Sequence, residues 1–193
     1  MGPELPTDWG KKISPRVTLR AATQADAALA SRSVIAGWRD SYGAVLPARL
    51  LASLDRNPHH DETAWRQAIN VATARTLVVE YDGSSIGVVR VDLVSTIPDT
   101  QSELTTLYIE SAHRGRGIGG WVLHEVFAVA AQSGALSLGV CVLTGNTRGR
   151  HFYVQHGAKV TGERVAFHWE GQAVSETTLA FVPLAHASIH GSV

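Results

Sequence analysis

The segment Arg114-Gly115-Arg116-Gly117-Ile118-Gly119-Gly120 carries the clearest chemical signal in this chain. Glycines allow a sharp turn and let backbone come close to a ligand. Val122, Val126 and Val129 follow at helical spacing, so the turn opens a helix from about Ile118 to Gln132. The first N–H groups of such a helix lack partners, and its dipole presents a positive end. Two arginines add fork-shaped donors. The combination suits a phosphate group. Gly115-x-Gly117-x-x-Gly120 also fits the dinucleotide fingerprint, which needs an acidic residue about 20 positions on for the ribose. The apolar strand at that distance, Ala135 to Leu143, holds no Asp or Glu, and the match does not open a domain. A nucleoside-triphosphate P-loop would require a lysine that is not there.

Other candidate groups carry weaker signals. His59-His60-Asp61-Glu62 is the one dense cluster of metal-ligand residue types, and neighbours on an ordinary loop rarely complete a site, so no metal is expected. The lone Cys141 lies in an apolar run and reads as a small buried hydrophobe. His151 and His156 read as surface residues. Trp38 and Tyr42 stand one helical turn apart, as core residues or as contacts for a substrate.

The whole chain sets bounds on these readings. Its 193 residues carry 17 Lys plus Arg and 17 Asp plus Glu, and 18% of residues are charged, below an average globular protein. One domain with its own core is expected over residues 16–184, with flexible tails at 1–15 and 185–193. The charge balance argues against a broad phosphate-backbone surface, hence against nucleic acid. No apolar run reaches the roughly 20 residues of a membrane span, and the N-terminal residues lack a signal-peptide core. The expectation is a cytoplasmic protein without membrane association.

The elements that must position the glycine turn follow from pattern and punctuation. A strand at Val17–Arg20 precedes a capping box, Thr23 to Asp26, and a helix running to about Asp40. Pro47 starts a short helix, Ala48–Leu54. A loop, Asp55–His60, leads to a helix carrying Trp65, Ile69 and Ala72. The period then shifts to strands at Thr76–Tyr81 and Ile86–Val94, joined by Asp82-Gly83. A strand at Glu103–Ile109 leads into the glycine turn and its helix. The strand Ala135–Leu143 reads as buried on both faces. A helix at Asn146–His156, closed by Gly157, precedes strands at Val160–Phe167 and Val174–Val182 around Glu170-Gly171. The order implies an α/β fold with a mixed, mostly antiparallel central sheet.

Against this framework Arg114-x-x-Gly117-x-Gly119 resembles the Arg/Gln-x-x-Gly-x-Gly/Ala signature of the GNAT superfamily of acetyl-CoA-dependent N-acetyltransferases. Glu103 to Glu110 is similar to the family's fourth strand. Asn146-x-x-Gly149-x-x-Phe152-Tyr153-x-x-x-Gly157-Ala158 is similar to the pattern of its fifth strand and following helix, although a small residue, often Ala, usually stands where Gly149 does. Trp38…Tyr42…Leu46-Pro47 resembles one bacterial branch.

The resemblance implies a single-domain GNAT fold with splayed fourth and fifth strands. It also implies acetyl-CoA as cosubstrate and an amine of a small molecule or peptide as acceptor. The pyrophosphate would lie on Arg114, Gly115, Arg116, Gly117, Ile118, Gly119 and Gly120. The pantetheine would pair with Leu107, Tyr108 and Ile109, with the Leu107 N–H polarising the thioester carbonyl. Asn146 would contact the cofactor. Glu103 would assist deprotonation of the amine, sharing a strand face with Thr105, Leu107 and Ile109 unless a bulge intervenes. Tyr153 would protonate the departing thiolate. Trp38 and Tyr42 are the substrate-contact candidates, and a homodimer fits the family. Two alternatives stay open: a non-catalytic acyl-CoA-binding module, and a nicotinamide-dependent dehydrogenase.

Overall fold

A computed structural model describes residues 16–56 and 61–184 of the chain. The proposed tails and the pair His59-His60 lie outside the described residues.

Strand β1 (Val17–Ala21) pairs antiparallel with β2 (Ala74–Tyr81), and β2 with β3 (Ser84–Asp92). Asp82 and Gly83 turn the β2–β3 hairpin with φ of 51° and 76°, the doubly positive φ that twists with the strands. β3 pairs antiparallel with β4 (Ser102–Ile109). Helix α4 (Ile118–Gln132) then returns the chain so that β5 (Leu138–Leu143) runs parallel to β4. Helix α5 (Thr147–Gln155) leads to the terminal hairpin, β6 (Lys159–Trp169) and β7 (Gln172–Phe181). β7 inserts beside β5, giving a seven-stranded sheet of order β1-β2-β3-β4-β5-β7-β6.

Alternation along the strands supplies both faces with apolar side chains. Val79, Val89, Val91, Leu104, Val140, Val142 and Leu179 pack with Ile118, Val122, Val126 and Tyr153 under α4 and α5. On the opposite face Val88 packs under helices α1 (Ala27–Tyr42) and α3 (Glu62–Ile69) through Ala27, Ala30, Val34 and Trp65. Helix α2 (Ala48–Ser53) and the end of α1 close over Leu143 and the terminal hairpin through Tyr42, Leu46 and Leu50.

Local interactions move several element ends. α1 continues past Asp40 to Tyr42, whose carbonyl accepts the N–H of Val45 and of Leu46. α3 stops at Ile69, short of Ala72, because Asn70 adopts φ −89° and ψ 0° and caps the helix. Asp55 and Arg56 belong to a 3-10 turn rather than a loop. β5 starts at Leu138, and just before it Ser137 accepts the Ser102 N–H at its carbonyl and the Gln101 N–H at its hydroxyl.

One irregularity bears on the site. Arg90 pairs with Thr106 but Val91 pairs with Leu104, so Thr105 is an extra residue in β4. The bulge overturns the simple alternation expected of this strand. Glu103 falls on the α1/α3 face with Thr106 and Tyr108, while Leu104, Leu107 and Ile109 face α4.

Gly37 in α1 is the seat on which the Tyr108 ring rests: a Cβ there would stand 2.0 Å from Tyr108 Cδ1. The steric cost of Gly37→Ala, about 1–3 kcal/mol for overpacking, exceeds the ~1 kcal/mol gain in helix propensity. Equilibrium urea unfolding is expected to show Gly37→Ala less stable than the parent, by up to about 2 kcal/mol.

Candidate active site between β4 and β5

β4 and β5 pair only through Ser102, Leu104 and the intervening Glu103, opposite Leu138 to Val140. Beyond Leu104 and Val140 they part. The cleft between them holds a cavity of about 440 Å³, lined by the β4 residues Leu104 to Ile109, the β5 residues Val140 to Val142, the glycine turn, and α5. That volume is within the range of small-molecule sites. Along the unpaired stretch of β4, edge N–H and C=O groups facing the cleft are available to an extended ligand chain. The expected cofactor contacts Leu107, Tyr108 and Ile109 lie on this stretch.

The glycine turn closes one end. Gly117 takes φ 79° as the N-cap of α4, a left-handed conformation that suits glycine. The Trp121 N–H makes the first helical bond, to the Gly117 carbonyl, and no acidic residue occupies the first turn. The preceding N–H groups of Ile118, Gly119 and Gly120 therefore stand at the helix start beside the cavity. Gly120 has a packing role as well: a Cβ would stand 2.7 Å from His156 Nε2. His156 is thus no surface residue. It is half-buried, lines the cavity, and bonds the Phe152 carbonyl through Nδ1 at 2.7 Å. Arg114, Gly115, Gly117, Ile118, Gly119 and Gly120 all line the cavity. Arg116 is exposed and set apart from them, its guanidinium 5.8 Å from the centre of the Tyr81 ring.

Arg114 leans toward α1, where Asp40 Oδ2 accepts from it and from Arg148 Nη2, the latter at 2.7 Å. Both guanidiniums hold the Asp40 carboxyl below the usual range, Arg148 more than Arg114.

Three tyrosines from three elements converge inside the cleft. Tyr42 comes from α1, Tyr108 from β4 and Tyr153 from α5, and all three line the cavity. Burial pushes the Tyr42 phenol up, against the opposing influence of hydrogen bonding with the Asn146 side chain and Tyr108. Burial raises Tyr108 well above the ordinary value, and the neighbouring Tyr42 adds to the shift. Tyr153 is buried and likewise raised, first by burial and then by Tyr42. All three are therefore protonated across the physiological range. Asn146 caps α5, its Oδ1 accepting the Gly149 N–H at 2.9 Å. A Cβ at position 149 would lie 2.9 Å from Asn146 Nδ2, so the glycine here gives the cap room.

Glu103 sits elsewhere. Its Oε2 accepts from the Thr96 N–H and the Thr96 hydroxyl, each at 2.9 Å, and it is not in the cavity wall. It is buried beside Arg164, whose Nη2 is 4.0 Å from Oε1. Arg164 Nε also donates to Glu176 at 2.7 Å, and its Nη2 lies 3.4 Å from Cys141 Sγ. Trp38 packs edge-on to Tyr42 at 5.1 Å and against Phe167 at 6.2 Å, so it joins α1 to the terminal hairpin and is outside the cavity wall.

The cleft thus gathers Tyr153, Asn146, Tyr42, the glycine turn and the β4 stretch, and leaves Glu103, Arg116 and Trp38 outside its wall. Asp40, Arg148, His113 and His156 were not legible as part of the neighbourhood. Asp40 and Arg148 are 108 residues apart, a separation that local spacing rules do not reach. Among the described residues no group of three or more His, Cys, Asp or Glu could hold a metal ion. Among them, too, no helix is long and apolar enough to cross a membrane.

Comparison with known proteins agrees with this geometry. Residues 39–158 match the model of the acetyltransferase (GNAT) family. An N-acetyltransferase of Mycobacterium bovis that is itself uncharacterised is 28% identical over 124 residues, covering 63% of this chain and 74% of that protein. The PaiA N-acetyltransferase of Thermoplasma acidophilum, solved in complex with coenzyme A, superimposes with a TM-score of 0.67 at 17% identity, covering 83% of this chain and 97% of that one. The yncA structure from Salmonella typhimurium, solved with its cofactor acetyl-CoA, gives 0.61 at 19% identity, covering 90% and 97%. At such identities the structural likeness speaks for the fold. The family match spans more than half of the chain, and the protein belongs to the GNAT acetyltransferases.

The Cys141 thiol is pushed up to about 12, first by burial and then by Glu176. At pH 8 only about one molecule in 10⁴ carries the thiolate, the reactive form. Iodoacetamide is expected to alkylate Cys141 in the folded protein far more slowly than in the protein unfolded in urea, as read by mass spectrometry.

Proposed function

We propose that the protein transfers an acetyl group from acetyl-CoA to a primary amine of a small molecule or peptide, by direct attack of the amine on the thioester. The observation that carries this reading is the shared cavity: a phosphate-suited helix start at one end, an unpaired strand edge along one wall, and a buried protonated tyrosine against the opposite wall. A narrow donor with a phosphate head and an amide-bearing tail fits that succession. The coenzyme A and acetyl-CoA bound in the PaiA and yncA structures have this chemistry.

In this reading the N–H groups of Ile118 to Gly120, with Arg114, hold the pyrophosphate. Leu107 to Ile109 supply backbone partners for the pantetheine amides, and the Leu107 N–H polarises the thioester carbonyl. Asn146 orients the donor from the α5 side. The neutral amine forms the new C–N bond while the C–S bond breaks. The surplus amine proton leaves through water toward Glu103. Glu103 lies in the paired stretch of β4, outside the cavity wall, so in this reading the proton reaches it only through bridging water. Tyr153 gives its proton to the departing sulfur. Its raised pKa makes it a reluctant acid, so its contribution is placement and a ready hydrogen bond rather than acidity. Tyr42, on the helix that also carries Trp38, borders the acceptor.

Tyr153→Phe keeps the packing and removes the proton. It is expected to lower kcat by about 10²-fold in an amine-acceptor assay, with a much smaller change in the KM for acetyl-CoA. An unchanged kcat would remove Tyr153 from the reaction. The raised pKa also fixes a sign. Tyr153 acts in its protonated form, so the alkaline limb of the pH–rate profile that it controls is expected above pH 10 rather than at it. Glu103→Gln is expected to lower kcat most at low pH, where fewer amines are already neutral, and addition of a low-pKa amine acceptor should narrow the deficit.

A further inference from the structure

The mouth of the cleft holds a three-element junction in which Asp40 and Arg148, with no part in the reaction scheme, join Arg114. Arg114 belongs to the lip that follows β4, and Arg148 to the first turn of α5, the lip that follows β5. Both line the cavity. Asp40, in the last turn of α1, accepts from both with a single oxygen, Oδ2. One carboxylate therefore joins both lips of the cleft to the helix that carries Trp38 and Tyr42.

Physical chemistry gives this junction a direction. Two guanidiniums drawn to one point repel each other, and the carboxylate between them removes that repulsion. Arg148 is 63% exposed in its side chain, and an arginine so exposed otherwise samples many rotamers in water. Each guanidinium has five donors, and sharing one oxygen leaves most of them available. Two arginines fixed in this way at the entrance form a clamp for an anion with several oxygens, such as the diphosphate or 3′-phosphate of a donor.

We infer that Asp40 is a positioning residue that holds Arg114 and Arg148 as a preformed phosphate clamp, and thereby sets the preference for a phosphorylated donor over a phosphate-free one. The inference rests on the proposed donor site at Arg114 to Gly120. It assigns Asp40 no contact with the reacting atoms.

The test compares CoA with pantetheine, which has the same thiol arm and no phosphate. Binding to the full chain is measured by calorimetry for CoA and by ligand-observed NMR for pantetheine. Asp40→Ala obliges two arginine side chains to be immobilised afresh on binding, so CoA affinity is expected to fall about tenfold. Pantetheine affinity is expected to change less than about twofold. Asp40→Asn keeps an acceptor oxygen without the charge and should recover part of the loss. Arg148→Ala should reproduce the selective loss, and it keeps the test open if Asp40→Ala folds poorly. Equal loss for CoA and pantetheine overturns the clamp in favour of a general support for the helix end. Tighter CoA binding by Asp40→Ala also overturns it, because Asp40 would then be a competitor of the phosphates. Failure of the unmodified protein to prefer CoA overturns the donor site itself and the clamp with it. That result appears before any substitution is made, so the two failures are distinguishable.

Discussion

Two parallel strands that separate after three paired positions leave a sheet with an open seam, and the rest of this structure is arranged around that seam. A closed seam between β4 and β5 would satisfy the backbone and leave no cavity. Here the pairing stops at Leu104 and Val140, and residues from other elements fill the wedge. Tyr108 enters from the strand, Tyr42 from α1 and Tyr153 from α5. Their phenols bring polar groups into a place where unpaired backbone would otherwise be costly. The bulge at Thr105 belongs to the same solution, since it sends Thr106 and Tyr108 to the α1 face while leaving Leu107 and Ile109 on the core under α4.

The seam also explains why the helix start lies where it does. A parallel β4–β5 pair requires a crossover, and α4 provides it. Its N-terminus falls at the end of β4, so the glycine turn faces the opening by connection alone. Close approach does the rest. Gly119 and Gly120 carry no side chain where Phe152 and His156 pack, so α5 sits directly against the start of α4. The glycine turn and Tyr153 are thereby held on rigid elements in one cavity.

Polar burial sorts the carboxylates by task. Glu103 is fixed to Thr96 and stands 4.0 Å from Arg164, while Glu176 holds Arg164 at 2.7 Å. Asp40 is taken by Arg114 and Arg148. The zero formal net charge of the chain hides these local groupings. Charge balance over a whole chain therefore speaks against an extended basic surface and says little about one anionic small molecule bound at a helix start.

The sequence alone determined what depends on neighbours along the chain. Periodicity placed α4 at Ile118–Gln132 and put β4 directly before it; Asp82-Gly83 and Glu170-Gly171 marked both hairpins; the Arg-x-x-Gly-x-Gly spacing located the phosphate-suited turn and pointed to the family. Helical period, turn φ and a helix dipole are local properties, legible in a few consecutive residues. Only the tertiary structure decided which side chains face the cleft. The Thr105 bulge moved Glu103 off the face of Leu107, because its insertion is set by pairing with β3 rather than by any residue in β4. Arg116, next to the turn, was carried outward over Tyr81, while Asp40 was carried inward to Arg114 and Arg148 across 74 and 108 residues of chain. Pattern assigns a residue to an element. Its orientation and its distant partners follow from how the elements pack, and that is where the chemistry of this site was settled.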